Sequence, residues 1–446
     1  MTLKTRRILL ILFTIVFLVA STVIILYSTG RRFDIQTFSI KKTGAIYIET
    51  SPKYIFIKIN GKNFPDNSGI LKNGTLISNL MPKNYKIEID KKDYYPYYKE
   101  IKLEPSLVSE LIGIILIPIK LEEKNIISTK LKGEKIIDLA NNKIIINNQK
   151  SEINYLYNLN NKESSLNINS VLNNLKKSAT ISKIVFHPLE KNKLLIEANN
   201  LIYALDADKL KIEEIKLQIS SPLPQSSSVA KEKTQISKLI DWLLKDSDIY
   251  YIVKKTSQKS PIESFQLLSF NLIAKTNTDF GNLEISGLKK IKITNNGNKL
   301  LIIDDLNNFY IFDLQIKKIE MISKNVLNAV PSLDNKKIAF LDKENKINIY
   351  FLENWHKNHP QKAREIIKLN TENNGEIKNI FWYKDSYHLF IEYENKKITN
   401  IDFSEIDIRG HLNQYPIIQE IKTAYYETGS EILYFIKNEK LYSLKI

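Results

Sequence analysis

One strand-turn-strand phrase recurs along the chain after Lys120, and this repetition constrains the fold more than any other feature of the sequence. Each copy has an apolar or aromatic lead, a polar turn rich in Asn, Asp and Lys, an apolar strand, a second polar turn, and a strand that contains an aromatic residue. The clear copies lie at residues 184–205, 291–314, 330–352, 380–403 and 424–444, and two weaker ones lie at 136–159 and 239–270.

Short strands and turns that recur at spacings of roughly 35–55 residues indicate a sandwich, a barrel or a propeller. The repeat length and the number of strands per copy favour a propeller, in which each blade is a four-stranded sheet and neighbouring blades cover each other's faces. We therefore predict a β-propeller of seven blades over residues 121–446. Because the last copy ends at Ile446 one strand short, a segment near Ile126 to Leu131 is expected to complete its sheet and close the ring.

One copy also resembles a known kind of blade. Residues 335–340 (NKKIAF), followed by Ile349-Tyr350, resemble the blade signature of the Tol-type and WD-like propellers, and residues 332–335 (SLDN) stand where that signature has Pro-Asp-Gly. The resemblance implies a propeller and no particular activity. Residues 220–235, rich in Ser, Pro and Lys, are expected to form a mobile surface loop of this domain.

Residues 44–120 have the pattern of a separate, smaller β module. Short apolar or alternating runs predict strands at 45–50, 55–59, 85–89, 99–103 and 111–119. Asn60-Gly61, directly after the second run, is a strong signal for a tight turn. The last run is too short to span a bilayer and is predicted to be a buried final strand.

The turns of this module resemble those of the PEGA domain, a small β-sandwich of bacterial surface proteins. The matching positions are Ser51-Pro52, Asn60-Gly61-Lys62, Leu80-Met81-Pro82 with Tyr85, and Tyr94 with Pro96. Tyr54-Ile55, Lys83 and Asp93 depart from the Gly-Ala and the two glycines of that pattern. Because the shared residues are turn residues, the resemblance implies a β-sandwich on an extracytoplasmic surface and no chemistry.

The N-terminal region contains a candidate membrane span. Residues 8–27 carry no charge, and only Thr14, Ser21 and Thr22 interrupt a run of Ile, Leu, Val and Phe. A helix of roughly 20 apolar residues spans the hydrocarbon core of a bilayer, so this segment is predicted to be a transmembrane signal anchor in contact with lipid. Residues 1–7 are then a cytoplasmic tail, and residues 28–43 a juxtamembrane linker.

The flanking charges predict the orientation of this helix. Lys4, Arg6 and Arg7 precede it, which favours a cytoplasmic N-terminus and an extracytoplasmic C-terminal side, although Arg31 and Arg32 follow it. A cleaved signal peptide is the alternative, because residues 19–21 (VAS) loosely resemble a cleavage site. Signal peptides usually have an apolar core of about 7–15 residues, and here the apolar run continues to Leu26, which favours an uncleaved anchor.

The net charge of +16 does not indicate nucleic-acid binding. Residues 1–44 contain seven Lys or Arg and one Asp, so a large part of the excess lies beside the predicted membrane span. Arginine becomes scarce after Arg32, whereas a nucleic-acid surface needs clustered arginines and aromatics. The absence of cysteine excludes disulfides and thiolate metal sites.

We find no catalytic, cofactor or metal motif in the sequence. There is no Gly-x-Ser-x-Gly and no glycine-rich phosphate loop. His356 and His359 form a His-x-x-His pair without a neighbouring carboxylate, which is a weak metal signal, and we expect an exposed loop there. His187 and His388 are expected to have structural roles, and Asp304-Asp305 to form a hairpin turn.

Aromatic residues supply the only candidate interaction surface. Tyr94, Tyr95, Tyr97 and Tyr98 surround a proline, and Trp355 lies in a short basic loop between repeats. Such side chains could stack on sugar rings or on a protein partner. The alternative is that alternate tyrosines pack the small module while the others cover its face.

Two functions from different classes follow from this architecture. The first is an extracytoplasmic binding or scaffold protein, held in the cell membrane, whose propeller recognises an envelope protein or a cell-surface polymer. The second is a glycan lyase or hydrolase whose acids converge at the channel of the propeller from several blades. The side chains that line the channel discriminate between them: carboxylates with His or Arg favour the enzyme, and Asn, Lys and aliphatic residues favour binding.

Overall fold

The computed structural model describes residues 3–35, 37–69, 72–160, 165–175, 180–217, 236–257, 260–294, 297–355, 361–371 and 375–446. The chain divides into a small unit, which contains Met1–Lys120, Asn354–Ala363 and Asp407–Asn413, and a larger unit, which contains the rest. The predicted loop 220–235 and the pair His356 and His359 lie outside the described residues.

Helix α1 (Leu3–Ser28) is long and apolar enough to cross a membrane, and none of its described residues is buried in the protein. The three hydroxyl residues inside it do not leave polar groups unsatisfied. The Thr14 hydroxyl donates to the carbonyl of Leu10, and the hydroxyls of Ser21 and Thr22 donate to that of Leu18, all at 2.9–3.0 Å. Their polar atoms are therefore compatible with a lipid environment.

A short hairpin follows the helix, where the sequence predicted only a linker. Its strands are β1 (Arg31–Asp34) and β2 (Ser39–Lys42), which pair in antiparallel register. The sequence pattern did not indicate this pairing, because both strands are short and together contain four basic residues.

The rest of the small unit is a two-sheet β-sandwich, as predicted. Its strands are β3 (Gly44–Ser51), β4 (Phe56–Ile59), β5 (Lys62–Phe64), β6 (Gly74–Leu80), β7 (Asn84–Asp90), β8 (Tyr97–Lys102) and β9 (Val108–Ile115). One sheet has the order β6-β3-β9, with β3 and β9 parallel, and the other has the order β5-β4-β7-β8. The sequence missed β5 and β6, and it placed the last strand three residues too late.

Alternating isoleucines from both sheets form one core. The shared cluster includes Ile46, Ile48, Ile57, Ile87 and Ile89, each at most 2% exposed. Such period-two burial is what a sheet with one covered face requires.

The predicted tight turn at Asn60-Gly61 is confirmed. Both residues have positive φ, 47° and 76°, which is the conformation of a two-residue hairpin turn, and Ile59 pairs with Lys62 across it.

Residues from late in the chain complete the small unit. The Asn413 side-chain amide accepts the Tyr98 N–H at 3.0 Å and donates to the Tyr98 carbonyl at 2.8 Å. Lys99, 2% exposed, donates to the carbonyls of Asp407 at 2.5 Å and His411 at 3.0 Å. A buried lysine is tolerated here because backbone oxygens replace its water shell.

The larger unit consists, within the described residues, of seven four-stranded antiparallel sheets in chain order. A strand that belongs to the last sheet, β10 (Lys124–Ile127), comes first along the chain. Blade 1 is β11 (Lys135–Ala140), β12 (Lys143–Asn148), β13 (Ile153–Asn158) and β14 (Ser165–Asn167), followed by helix α2 (Ile168–Leu175). Blade 2 is β15 (Ile181–Phe186), β16 (Lys193–Ala198), β17 (Leu201–Asp206) and β18 (Lys211–Ile215). Blade 3 is β19 (Ile236–Lys245), β20 (Asp248–Ser257), β21 (Ser260–Asn271) and β22 (Asn277–Leu283).

The remaining sheets follow in the same way. Blade 4 is β23 (Lys290–Ile293), β24 (Lys299–Ile303), β25 (Phe309–Asp313) and β26 (Lys318–Ser323). Blade 5 is β27 (Val326–Pro331), β28 (Lys337–Asp342), β29 (Ile347–Phe351) and β30 (Ile366–Leu369). Blade 6 is β31 (Glu376–Trp382), β32 (His388–Asn395), β33 (Ile398–Glu405) and β34 (Gln414–Ile421). Blade 7 joins β35 (Thr423–Glu427), β36 (Ile432–Lys437) and β37 (Lys440–Leu444) to β10.

The row of blades closes into a ring. First strands of neighbouring blades contact each other, as β19 contacts β23 and β23 contacts β27, and β11 of the first blade contacts β35 of the last. Strand β10 pairs with β37, so the predicted closure of the last sheet by an early segment is confirmed. The larger unit is therefore a seven-bladed propeller, as the repeats predicted.

Pairs of asparagines form the turn between the first and second strands of blade 1 and the turn between the second and third strands of blade 2. Asn141-Asn142 in blade 1 and Asn199-Asn200 in blade 2 have φ between 52° and 61° at all four residues. Asparagine tolerates this left-handed conformation better than most residues, and two such residues in sequence match the twist of a hairpin. The high asparagine content thus has a structural use.

Candidate functional site

The same local pattern lies at or just before the start of the first strand of each blade. An apolar residue is followed by a more exposed one, a polar residue and a buried apolar residue, as in residues 239–242 (LIDW). In five blades a β-bulge falls directly before the polar residue, and a bulge redirects the side chains that follow it. We name these polar positions the inner ring, which comprises Asp138, Lys183, Asp241, Lys290, Asn328, Asn379 and Thr423, one from each blade in order.

Hydrogen bonds join inner-ring side chains of neighbouring blades. Lys183 Nζ donates to Asp241 Oδ1 at 2.6 Å, from blade 2 to blade 3. Lys290 Nζ donates to Asn328 Oδ1 at 2.8 Å, from blade 4 to blade 5, and Asn328 Nδ2 donates to Asn379 Oδ1 of blade 6 at 3.3 Å. These inner-ring hydrogen bonds therefore connect blade 2 to blade 3 and join blades 4, 5 and 6 in a row.

Asp138 links the last, first and second blades. Its Oδ1 accepts the Tyr425 hydroxyl at 3.0 Å, and its Oδ2 accepts the Phe186 N–H at 2.9 Å. Burial raises the pKa of Asp138, while the hydrogen bonds from Phe186 and Tyr425 lower it. Burial, together with the neighbouring Asp138 charge, raises the pKa of Tyr425. This carboxyl group holds three blades together.

The inner-ring acids and one amide also satisfy backbone donors at the bulges. Each accepts the N–H of the residue after it, in the pairs Asp138 with Leu139 at 2.9 Å, Asp241 with Trp242 at 2.8 Å, and Asn379 with Ile380 at 3.0 Å. A buried backbone N–H needs a partner, and a bulge interrupts the ladder that would supply it. These side chains therefore have a structural task that does not depend on a ligand.

Two further buried carboxyl groups, those of Glu197 and Glu392, lie on the second strands of blades 2 and 6. Glu197, 8% exposed, accepts the Trp242 Nε1–H at 2.8 Å, which joins blades 2 and 3. Burial raises the pKa of Glu392 to about 7, while a hydrogen bond from the Ala424 backbone of blade 7 lowers it. Like the inner-ring acids, both groups bridge neighbouring blades.

Ammonium groups of other blades act on the ammonium group of Lys290. Burial lowers the pKa of Lys290; the charges of Lys289, Lys135 and Lys183 lower it further, and Asp241 opposes them. Lys135 belongs to blade 1 and Lys183 to blade 2, whereas Lys290 belongs to blade 4. Lysines of blades 1 and 2 therefore contribute to the electrostatic environment of Lys290 in blade 4.

Lys292 is the exceptional residue of the channel. Burial, followed by the charge of Lys290, lowers its pKa to about 7. Among the residues that the structure describes, none forms a hydrogen bond or an ion pair with its ammonium group. The equivalent positions of the other blades are Ala140, Val185, Leu243, Val330, Phe381 and Tyr425. Lys292 is thus the one charged residue among seven equivalent positions, and the other six are aliphatic or aromatic.

The aromatic residues that the sequence suggested as an interaction surface differ in how far they are exposed to solvent. Tyr97 and Trp355 are buried, at 3% and 8% exposed, and Tyr94 and Tyr95 are half-buried. Tyr98 is 43% exposed, and its ring meets that of His411 edge to face. Strand β8 begins at Tyr97, so alternation turns Tyr97 inward and Tyr98 outward. An interaction surface at these residues stays a prediction, and Tyr98 offers it the largest area.

The other residues considered for chemistry have structural partners. His187 Nδ1 accepts the N–H groups of Leu189 and Glu190, and His388 stacks on Phe403 at 4.7 Å. Asp304, fully buried, accepts the Asn308 N–H at 2.7 Å within a turn. Within the described residues, no group of three or more His, Asp and Glu side chains is placed to hold a metal ion.

Sequence reasoning missed the inner ring and its lysines. The signal was present, because the leads of the repeats read Ile-Ser-Lys-Ile, Leu-Ile-Asp-Trp, Val-Leu-Asn-Ala and Ile-Lys-Asn-Ile at residues 181–184, 239–242, 326–329 and 377–380. Aligning the repeats on their leads would have shown a polar residue at one fixed place. Which of these residues meet was decided only by the closure of the ring.

No family model and no curated protein matches this sequence. Similar solved structures include the β-propeller domain of Myceliophteria thermophila Cps50 (Swd1), 9% identical over 72% of this chain and 99% of that chain, with a TM-score of 0.44. A chain of the mitotic checkpoint complex is 10% identical over 74% of this chain and 94% of that chain, with a TM-score of 0.43. An oligogalacturonate lyase in complex with manganese is 8% identical over 74% of this chain and 92% of that chain, with a TM-score of 0.48.

The fold class follows from the sheets of this chain and does not depend on these comparisons. The chain is an all-β protein with an N-terminal apolar helix, a two-sheet sandwich and a seven-bladed propeller. The PEGA resemblance of residues 44–120 stays a prediction.

Proposed function

We propose that this chain is a membrane-anchored, extracytoplasmic binding or scaffold protein of the cell envelope, with the propeller as its interaction platform. The observation that carries the proposal is the lining of the channel. Lys, Asn and apolar side chains provide most of it, and both inner-ring acids, Asp138 and Asp241, are held by hydrogen bonds between blades. Such a lining is suited to recognition of a partner.

A glycan-active enzyme is the less supported alternative. Glycosidases need a carboxylic acid and a second carboxylate that can reach opposite sides of a glycosidic bond. Asp138, Asp241 and Glu197 are each hydrogen-bonded to groups of a neighbouring blade. Moving any of them to a substrate would break a contact that holds the ring together.

The N-terminal helix supplies the proposed anchor, and its flanks supply the proposed orientation. None of its described residues packs into the protein, which leaves the apolar surface of Leu3–Ser28 for lipid. Lys4, Arg6 and Arg7 favour a cytoplasmic N-terminus, so both folded units would lie outside. The partner is then an envelope protein or a cell-surface polymer.

Single-cysteine variants test location and partner together, because the natural chain has no cysteine. Lys422→Cys lies next to Thr423 of the inner ring and is exposed. We expect an impermeant, cleavable benzophenone maleimide to label this variant on intact cells and, after irradiation, to capture the same envelope component repeatedly. The captured component is identified by mass spectrometry after cleavage of the linker.

Two variants are controls for this experiment. Thr5→Cys, before the apolar run, is expected to stay unlabelled on intact cells, and Lys318→Cys, on the outermost strand of blade 4, to be labelled without capturing that component. Labelling of Thr5→Cys alone would reverse the proposed orientation. Labelling of Lys422→Cys with no recurrent envelope component would count against a binding platform.

A further inference from the structure

Two lysines of blade 4, Lys290 and Lys292, form no ion pair with a carboxylate among the described residues. Asp241 is paired with Lys183 at 2.6 Å. Among the described residues, the side-chain partner of Lys290 is the neutral amide of Asn328, at 2.8 Å. Lys292 has no partner among the described residues, so no carboxylate pairs directly with its ammonium group or with that of Lys290.

Charge of one sign in a confined cleft attracts counter-ions strongly, because the surrounding protein screens it less than water does. Two lysines on alternate positions of one strand, 290 and 292, lie on the same side of β23. Ammonium groups are compact donors that suit oxyanions, and lysine is a common phosphate ligand in proteins.

We propose that the channel is a binding site for a tetrahedral oxyanion of the phosphate or sulfate class, held by Lys290 and Lys292 with Lys183 and Lys135 nearby. The inference deepens the proposed function, since it names the chemistry that the platform recognises. The anion replaces the water that Lys292 loses on burial and separates its charge from that of Lys290.

Proton uptake is a consequence of this arrangement. The pKa of Lys292 is lowered to about 7 by burial and by Lys290, so an anion that pairs with the charged amine raises it again. The other charged groups that act on Lys290 are Lys289, Lys135, Lys183 and Asp241, and Lys135 in turn interacts with Glu392, whose pKa burial raises to about 7. Anion binding is therefore favoured below pH 7 and weakened as the pH rises through that value.

Sulfate is the suitable probe, because its charge does not change between pH 6 and pH 8. We expect calorimetric titration of the full chain in non-ionic detergent, at constant chloride, to show affinity for sulfate that falls about tenfold from pH 6 to pH 8. Lys292→Met is expected to weaken binding at pH 6 by about tenfold and to leave only the smaller pH dependence that ionisation of Glu392 near Lys135 causes. Lys318→Met, on the outer strand of the same blade, removes an equal charge and is expected to bind sulfate normally.

Absence of saturable sulfate binding at pH 6, or unchanged binding in the folded Lys292→Met variant, overturns the proposal. An oligomer of glycerol phosphate added as a competitor distinguishes a polymer-borne phosphate from a free anion. Displacement of sulfate by the oligomer supports a polymer-borne phosphate, and displacement by inorganic phosphate alone supports a free one. Because the assay uses purified protein, its failure would leave location and partner capture to be judged separately.

A second, independent observation concerns the hairpin β1–β2. Four large apolar side chains on it face solvent: Phe33 at 58%, Ile35 at 76%, Phe38 at 81% and Ile40 at 52% exposed. The rings of Phe33 and Phe38 meet edge to face at 6.1 Å. Exposed apolar groups this close together indicate a surface that is covered in its working environment.

Basic residues accompany this patch, and the span precedes it directly. Arg31 pairs with Lys42 across the hairpin, and the Arg32 guanidinium lies 3.4 Å from the centre of the Tyr27 ring at the end of α1. Only two residues, Thr29 and Gly30, separate the helix from β1. We infer that the hairpin lies in the headgroup region of the bilayer, with its apolar side chains at the acyl boundary and its cations on anionic headgroups. This inference rests on the proposed anchor.

Spin labels test the hairpin, because the chain without cysteine accepts a single label. In nanodiscs that contain anionic lipid, Phe38→Cys is expected to show high accessibility to oxygen and low accessibility to a nickel chelate, as membrane-buried labels do. Phe56→Cys, at a site 70% exposed on the sandwich, is expected to show the reverse. Equal, water-like accessibility at both sites would refute the inference, even if the helix itself is embedded.

Discussion

Replacement of Trp242 by alanine is expected to lower the free energy of unfolding of the propeller by about 3–5 kcal/mol. The side chain is fully buried between blades 2 and 3 and packs with Leu195 and Ile202 of blade 2 and Tyr251 of blade 3. Its Nε1–H bonds to the buried Glu197, and Lys183 Nζ lies 5.2 Å from the ring centre and donates to the Trp242 carbonyl. Truncation therefore removes packing and leaves a buried carboxyl group without its donor.

Two further variants separate these contributions. Trp242→Phe keeps most of the apolar volume but leaves Glu197 without the indole donor, and we expect a loss of about 1–3 kcal/mol. Ile273→Ala, in blade 3 and 69% exposed, is expected to change stability by less than about 0.5 kcal/mol. Chemical denaturation of all three variants measures the differences. Equal stability of Trp242→Ala and the natural chain would contradict the assigned contacts.

Ile127→Asp is expected to open the ring and to destabilise the propeller by about 4 kcal/mol or more. Ile127 is fully buried in the strand that closes blade 7, and it packs in one cluster with Ile436 and Leu441 of that blade and Ile144 of blade 1. An aspartate there would be an unpaired charge between the last and first blades. Hydrogen exchange followed by mass spectrometry should show β35, β36 and β37 losing protection before the other blades.

Asn125→Asp is the matched control for this experiment. It introduces the same charge into the same strand at an exposed position, so it is expected to leave exchange in blade 7 unchanged. Retained protection of β35–β37 in Ile127→Asp would show that β10 is not needed for closure. Faster exchange in Asn125→Asp as well would show that the strand, and not the buried contact, is sensitive to charge.

The sequence predicted the two β domains because their signals are local. Alternating burial and two-residue turns act over a few residues, and so blade boundaries, the Asn60-Gly61 hairpin and the span could be inferred without long-range information. The position of the closing strand was also close, with 126–131 expected and Lys124–Ile127 observed. Strand β6 and the hairpin β1–β2 were missed, because neither carries a long apolar run.

What the sequence could not determine is which residues meet in the channel. Asp138 and Tyr425 lie nearly the whole propeller apart along the chain, yet they are 3.0 Å apart once the last blade joins the first. Likewise, Lys292 looks like any surface lysine in a chain with 65 Lys and Arg, and only its position on the first strand of a blade places it among buried residues. The sequence by itself thus determined the repeats, the strands and the helix of membrane length. Ring closure decided where charge accumulates, because it brings residues from distant blades together and excludes the water that would otherwise screen them.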